Sequence, residues 1–406
     1  MARLVVLGGS GASTPELADA LVDWPGGPTR RPPLTVVLHG RSADKLALVA
    51  RAFRARLADG GGSEVAVESS TDLRAVLDGA DVVLNQVRVG GLAARAFDES
   101  FPRQHGIPGE ETMGPGGFAN ALRTVPALAP AWEAIARHAP DALVVNLTNP
   151  SGIVVAVAAR TSAIRVVSVC DSPAALTEAV AQALGRPLAD VRGRYLGCNH
   201  AGWWAAADDA ELAAVAGLAT GLTADEVSTA GALPAPYVRY YLAAERIAAA
   251  QAASPTRAEQ LQELEARMLD AYAAGGAGTA PRRGAPWYPK AVVPFLDAWW
   301  NGSTVPEILG LVSDGSLAGI PAGIVVERAT DVVAGRLEPR LAPGLPALPA
   351  AILASHAAYE ALVVDALVAG APRRALVRAL TANPMVRDVD RAARLVDAIL
   401  AGSPTR

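Results

Sequence analysis

The sequence is poor in cysteine, in aromatic residues and in any unbalanced charge. With 2 cysteines in 406 residues a disulfide framework is excluded. Cys170 and Cys198 read instead as free thiols, best preserved in a reducing compartment where a thiolate can bind a metal. The 36 basic and 40 acidic side chains are interspersed and sum to a net charge of −4. That balance leaves no basic stripe for nucleic acid and no polybasic tail for a membrane. No apolar run reads as the roughly twenty residues of a spanning helix, and the chain enters its first strand almost at once. The expectation is a soluble, cytoplasmic protein whose partners are small charged or phosphorylated metabolites.

What the sequence does have is apolar bulk, 51% of its residues, enough for two domains sharing a large interface. Over the first half, the β-branched runs RLVVLGG, LTVVLHG, DVVLNQVR, ALVVNLTNP and IRVVSVC alternate with helical stretches such as KLALVARAFRARLA and ALAPAWEAIARH. Continuous apolar strands separated by amphipathic helices mean a parallel sheet covered on both faces. The expected fold is therefore α/β. A Rossmann-type doubly wound domain of the lactate/malate dehydrogenase kind spans residues 1–193, and a C-terminal α/β substrate and metal domain spans 194–406. In the second part, GRYLGCNHAGWW reads as a strand, PYVRYYLAAERIAAAQ and RAEQLQELEARMLDAYAA as long helices.

Dinucleotide chemistry is suggested by the first strand-to-helix passage, RLVVLGGSGAS. Gly8, Gly9, Ser10 and Gly11 form a turn that lets backbone N–H groups approach a pyrophosphate at a helix N-terminus. Ser13, Thr14 and Pro15 stand where a third glycine is usual. The second strand ends in His39-Gly40-Arg41-Ser42 rather than in an acid for the adenosine ribose. Arg41 suits a 2′-phosphate, which leaves NADP open beside NAD, or it is a solvated loop cation. Asn85, closing the strand DVVLNQVR, is taken with the same cofactor edge.

Other constellations lie at strand ends, where doubly wound sheets bind ligands. Cys170 ends VVSVCDSP and His200 follows in GCNHAGWW, a soft and a borderline donor able to hold a transition metal. Cys198 and His200 share one face if that segment is a single strand, but Cys170 closes a core strand and is preferred as the ligand. Arg88 and Arg95 follow a strand end and suit a phosphate or carboxylate, although exposed arginines are common. Glu110 and Glu111 precede a Gly-Pro-Gly-Gly segment that reads as a turn. Asn149, in NLTNPSGI, is placed to meet a sugar hydroxyl or only to satisfy the turn that Pro150 enforces. His39, His105, His138 and His356 show no partner pattern.

Taken together, VLGGSGASTPEL, NQVRVGGLAARAFDE, GEETMGPGGFANALRTVP, NLTNPSGI, VVSVCDSP, GCNH, PYVRYYL, RRGAPWYPKA and YEALVVDAL with NPMV resemble, in order and spacing, glycoside hydrolase family four. These are the NAD-dependent glycosidases, and the likeness is to their 6-phospho-β-glucosidase branch. The resemblance implies that Cys170 and His200 bind a divalent metal, usually manganese, and that Asn149 touches the sugar. It places the base in the double tyrosine, Tyr241 ahead of Tyr240, and Arg95 and Arg283 at the 6-phosphate, with Glu111 on the same substrate loop and Asp171 at the catalytic centre. The implied chemistry is oxidation at C3, loss of the C2 proton, elimination of the aglycone, addition of water and return of the hydride, in place of the usual carboxylate pair. A homodimer or homotetramer is implied as well. Asp171 stands where the β-branch tends to have asparagine and the α-branch aspartate, so the anomer stays open, as does an unphosphorylated substrate. Two other readings remain: a 2-hydroxy-acid dehydrogenase, which needs a His-Asp relay and no metal, and a dinucleotide sensor without turnover.

Overall fold

In the computed structural model, which describes residues 1–333 and 335–402, the apolar runs of the first half become six strands. These are β1 (Ala2–Leu7), β2 (Leu34–His39), β3 (Ala66–Ser70), β4 (Val82–Asn85), β5 (Leu143–Asn146) and β6 (Arg165–Val169). All pair in parallel, in the order β3-β2-β1-β4-β5-β6. This is the doubly wound, Rossmann-type sheet expected from the sequence. β4 and β5 are buried along their whole length because helices cover both faces, which is why neither shows a polar alternation. Strand order reverses beside β1 and β4, and the crevice over their carboxyl ends is where such sheets bind ligands.

The second half supplies β7 (Tyr195–Cys198), β8 (Ala201–Trp204), β9 (Leu233–Pro234), β10 (Glu307–Val312), β11 (Val325–Val333) and β12 (Arg336–Pro339). These extend the same sheet antiparallel, in the order β6-β10-β11-β7-β8-β9, with β12 on β11. Residue 193 thus marks the end of the parallel alternation, while both segments share one sheet of 12 strands. The later segment also folds back over the first. Tyr272 donates to the Ala12 carbonyl at 3.0 Å, and the Glu16 carboxylate accepts from the Arg283 and Ala285 amides at 2.8 Å. Trp24 donates to Asp297 at 2.9 Å.

Four local expectations change. The Gly-Pro-Gly-Gly segment is the first turn of helix Gly114–His138 rather than a free turn. Its glycines answer close packing: a Cβ on Gly116 would lie 2.1 Å from the Glu110 carbonyl oxygen, and one on Gly117 1.8 Å from that of Thr112. GRYLGCNHAGWW is two strands, not one, joined at Asn199–His200, with His200 at a φ of 65°. The long helix expected through PYVRYYLAAERIAAAQ is broken into a 3-10 turn Pro236–Val238 and helices Arg239–Leu242 and Ala244–Ala252. The last piece is drawn off axis by Arg246 on Glu226 (2.7 Å) and by Gln251 on Gly109 (2.8 Å). Finally, an apolar run of spanning length does exist, in helix Ala347–Val368 of 22 residues and mean hydropathy 1.5. Half of that stretch is buried inside the protein. Tyr359, Val363 and Val364 pack with Val144 and Ile153, so the helix is apolar because it completes the core under the sheet.

The seam between the halves is tight. A Cβ on Gly310 in β10 would lie 1.9 Å from Ser168 Oγ in β6 and 2.9 Å from Val325 Cγ1. Gly310→Ala should therefore overpack the seam and cost about 1–3 kcal/mol. Urea unfolding measures this, and an unchanged midpoint would show that the strands can part without loss.

Candidate active site

The carboxyl ends of β1, β4, β5 and β6 open into one cleft of about 900 Å³. Its walls hold Gly8, Ser10 and Gly11 at one end and Asn149, Cys170, Asp171 and His200 at the other, with Arg88, Arg95, Glu111 and Arg283 between. Each arrives by a strand or helix terminus. Gly8 takes a φ of 83°, and a Cβ there would lie 2.9 Å from the Gln86 carbonyl oxygen, so only glycine lets the β1 turn sit against β4. Gln86 Nε2 donates to the Thr14 hydroxyl at 3.1 Å, and the Tyr288 hydroxyl donates to Gln86 Oε1 at 2.7 Å. Those contacts hold the turn open at the start of helix Pro15–Val22, whose dipole favours an anion.

Arg41 is exposed at the rim beside His39 and Lys45, where the expected acid is missing. Gly9 and Asn85 depart from expectation. The Gly9 amide is spent on the His39 carbonyl at 2.7 Å and does not line the cleft. Asn85 is sealed beneath it, donating to Asn146 Oδ1 at 2.8 Å, so it braces β4 against β5 rather than touching a cofactor. A strand-end asparagine looks the same in sequence whichever way it points.

The charged middle of the cleft is built on Glu111. Arg88 pairs with its carboxylate, and Arg95 bridges it at 2.9 Å and Glu99 at 2.6 Å. Burial alone would raise the Glu111 pKa, but Arg88 and Arg95 hold it down to about 2. Arg283, packed 4.8 Å over the Trp287 ring, interacts with the Glu111 carboxylate only through its charge. Burial and the repulsion of Arg88 and Arg95 lower its pKa to about 10. Asn120 links this loop to the far end of the cleft by donating to the carbonyls of Glu111 and Asn149, both at 3.1 Å.

At the far end, Cys170 caps the N-terminus of helix Asp171–Leu184 directly after β6, and Asp171 follows it into the cleft. Burial raises the pKa of both groups. His200 stands at the tip of the β7–β8 turn, buried, with burial lowering its pKa to about 3 and its Nδ1 without a hydrogen-bond partner. A neutral imidazole with an orphaned nitrogen and a thiol on the same stretch of wall fit a borderline divalent cation. The left-handed backbone at His200 is an uncommon conformation for a non-glycine residue, of the kind that gathers at functional sites. Cys198 does not share that face; it is fully buried, away from the cleft, among Met113, Leu196 and Tyr240.

The double tyrosine also lies elsewhere. Tyr240 is buried outside the cleft, and Tyr241 is turned away from it, its hydroxyl 2.7 Å from His356 Nδ1. Two tyrosines line the cleft, Tyr288 by the glycine turn and Tyr237 at the far end, the latter stacked on His200 with ring centroids 3.8 Å apart and planes 5° apart. The break at Ala243 and the short turns before it set which ring points inward, and periodicity alone does not report that. His356, assigned no partner from the sequence, has two.

The comparisons with known proteins agree with this arrangement. The description "Family 4 glycosyl hydrolase" matches residues 31–186, and its C-terminal domain matches residues 195–386. The chain belongs to the family 4 glycosyl hydrolases. A probable 6-phospho-beta-glucosidase of Bacillus subtilis is 27% identical over 98% of this chain and 95% of its own length. The 6-phospho-beta glucosidase of Thermotoga maritima, solved with manganese, NAD+ and glucose-6-phosphate, superposes with a TM-score of 0.85 at 23% identity, covering 99% of this chain and 98% of that one. A 6-phospho-alpha-glucosidase from gut microorganisms, solved with NAD and Mn2+, gives 0.82 at 21% identity over 98% and 97%. As a family 4 hydrolase the chain is an enzyme acting on glycosidic bonds, which sets aside the dehydrogenase and sensor readings.

Glu110, next to Glu111, offers a pH test of this wall. Burial and the neighbouring Glu111 raise its pKa to about 7 from an ordinary 4.5, against the Met113 and Thr112 amides that donate to it at 2.6 Å. Its folded pKa is raised, so the native state holds a proton that the unfolded chain releases. Stability attributable to Glu110 is present below pH 4.5 and is lost as pH rises through about 7. Glu110→Gln, which still accepts both amides, should flatten this fall, so that the variant gains on the parent between pH 5 and 7.5 in melting experiments. Parallel profiles would place the ionisation elsewhere.

Proposed function

We propose that the enzyme cleaves 6-phosphorylated glucosides, with the β-anomer as the first reading. The observation that carries the phosphate is the convergence of Arg88, Arg95 and Arg283 on a wall whose carboxylate Glu111 already serves two of them. Arg283 is left as a half-buried cation that feels Glu111 only at a distance and is repelled by Arg88 and Arg95, and a dianion beside it removes that cost. The β-preference is supported by relatives alike over nearly the whole chain, and Asp171 favours the α-anomer as the second reading.

Cys170 and His200 would hold the divalent cation, manganese in the relatives, with sugar oxygens completing its shell. The Gly8–Ser13 turn would hold NAD, and Arg41 leaves room for NADP. When bound, the dinucleotide accepts and returns the C3 hydride and the cation acidifies the C2 proton. The protein's own groups do the rest. Tyr237, on the His200 side of the cleft, would take the C2 proton as a tyrosinate; burial and the Glu110 charge hold its phenol protonated in the empty cleft, so the bound cation would have to favour the phenolate, whose own proton leaves to solvent. Asp171, whose pKa burial raises, is placed to give a proton to the departing oxygen. Asn149 and Asn120 orient the sugar, and Arg283 with Arg95 anchors the phosphate so that C2 and C3 face the chemistry. Two free thiols accord with a cytoplasmic enzyme, and we extend the reading to a homodimer or homotetramer, which light scattering resolves.

The test is nitrophenol release from 4-nitrophenyl glucoside 6-phosphates of both anomers, using protein stripped of nucleotide and metal, with NAD and Mn2+ restored together and singly. Turnover is expected only with both; equal turnover of unphosphorylated glucoside would remove the phosphate from the reading. Tyr237→Phe should lower kcat by roughly 10²–10⁴-fold with dinucleotide binding kept, and Tyr241→Phe far less. The reverse ranking would return the base to the double tyrosine. Arg283→Ala should raise KM about tenfold to a hundredfold for the phosphorylated substrate alone. A pure kcat loss would argue against phosphate anchoring.

A further inference from the structure

Behind the cleft, three side chains of metal-ligating chemistry meet where neither nucleotide nor sugar reaches. The Cys198 sulfur, one ring nitrogen of His356 and one carboxylate oxygen of Glu360 lie within 4.8 Å of one another. Relative exposure is 0%, 2% and 4%, and none of the three lines the cleft. His356 and Glu360 stand four residues apart on helix Ala347–Val368, hence on one face, and that face looks at the end of β7.

The hydrogen bonding of this cluster is incomplete in an informative way. His356 Nδ1 is taken by the Tyr241 hydroxyl at 2.7 Å. His356 Nε2, 3.4 Å from Glu360 Oε1, makes no hydrogen bond, and Glu360 Oε2 has none either. Two buried polar atoms aimed at a buried thiol are costly as they stand, at about 1–3 kcal/mol each. Glu360 is also held close to the first turn of helix Ser151–Thr161, where a Cβ on Gly152 would lie 2.7 Å from Oε1.

We infer that Cys198, His356 and Glu360 form a second metal site, structural rather than catalytic, that takes a borderline divalent ion such as Zn2+. Thiolate, imidazole and carboxylate are the donor types of tetrahedral zinc, with a fourth position for water. Donors at the usual zinc bond lengths lie about 3.3–3.6 Å apart, so the ion needs these three atoms to draw in from their present spread of up to 4.8 Å. With the ion on Nε2, Nδ1 carries the proton and donates to Tyr241, the outer-shell contact that fixes a ligating imidazole. Binding displaces the thiol proton to solvent with no change of oxidation state. Cys198 is two residues before His200, so the ion would pin the β7–β8 turn to the helix behind it and hold His200 at the cleft. Tyr241 thereby finds a role away from the sugar.

The test isolates this site from the cleft. The full-length Cys170→Ser/His200→Ala variant lacks the cleft donors; stripped by chelator and checked for cooperative melting and dinucleotide binding, it is titrated with Zn2+ and with Co2+. One zinc per chain by elemental analysis and a thiolate-to-cobalt charge-transfer band are expected, both lost on adding Cys198→Ala. Zinc should also raise the melting temperature of the double variant and not of the triple one. A folded double variant that binds no zinc and shows no such band would overturn the site and leave Tyr241, His356 and Glu360 as a hydrogen-bond chain. That readout needs no change at Cys198, so a triple variant that fails to fold does not shelter the inference. Glu360→Gln provides the remaining check, with at least a tenfold loss of zinc affinity expected and an unchanged affinity counting against the site.

Discussion

The close pairing of β6 with β10 at Gly310 is the contact on which the rest of the molecule depends. Six parallel strands alone would give a nucleotide crevice with an open edge at β6. Antiparallel β10 covers that edge, and β11 and β7 follow it, so the hairpin carrying His200 arrives beside the carboxyl end of β6, where Cys170 stands. The proposed metal donors, Cys170 and His200, therefore come from opposite sides of a seam rather than from one motif. A shift of that seam moves His200 relative to Cys170 and leaves the β1 turn where it was.

Charge is distributed with the same economy. Glu111 is shared by Arg88 and Arg95, Arg95 is shared by Glu111 and Glu99, and Arg283 remains over, facing the cleft from the segment that folds back across β1. The Glu16 carboxylate that receives the Arg283 and Ala285 amides fixes this segment to the first helix. The proposed phosphate anchor, Arg283, and the proposed nucleotide turn are thus held by one piece of backbone.

Much of this was legible in the sequence because it is local. The parallel strands, the glycine turn at Gly8, the missing ribose acid at Arg41 and the cysteine at the end of β6 each follow from a short run of residues. What the sequence hid depends on direction and on distant neighbours. Gly116 and Gly117 read as a turn because glycine is common in turns, but they are there to let a helix press on the Glu110 and Thr112 carbonyls. Asn85 ends β4 and Asn149 lies just past the end of β5, yet one braces the sheet and one lines the cleft. Among Tyr237, Tyr240 and Tyr241, backbone turns at the start of two short helices decide which ring meets His200. The partners of His356 lie 115 residues away in Tyr241 and across the sheet in Cys198, beyond any local pattern.

The central claim is that bond cleavage passes through loss of the C2 proton to Tyr237 rather than through direct displacement at C1. Hydrolysis run in D2O with NAD and Mn2+, with the released sugar phosphate analysed by NMR, tests it most directly. We predict deuterium at C2 of the product, and loss of C2 exchange in Tyr237→Phe. Cleavage by the parent enzyme that leaves protium at C2 would contradict the mechanism at its first committed proton transfer.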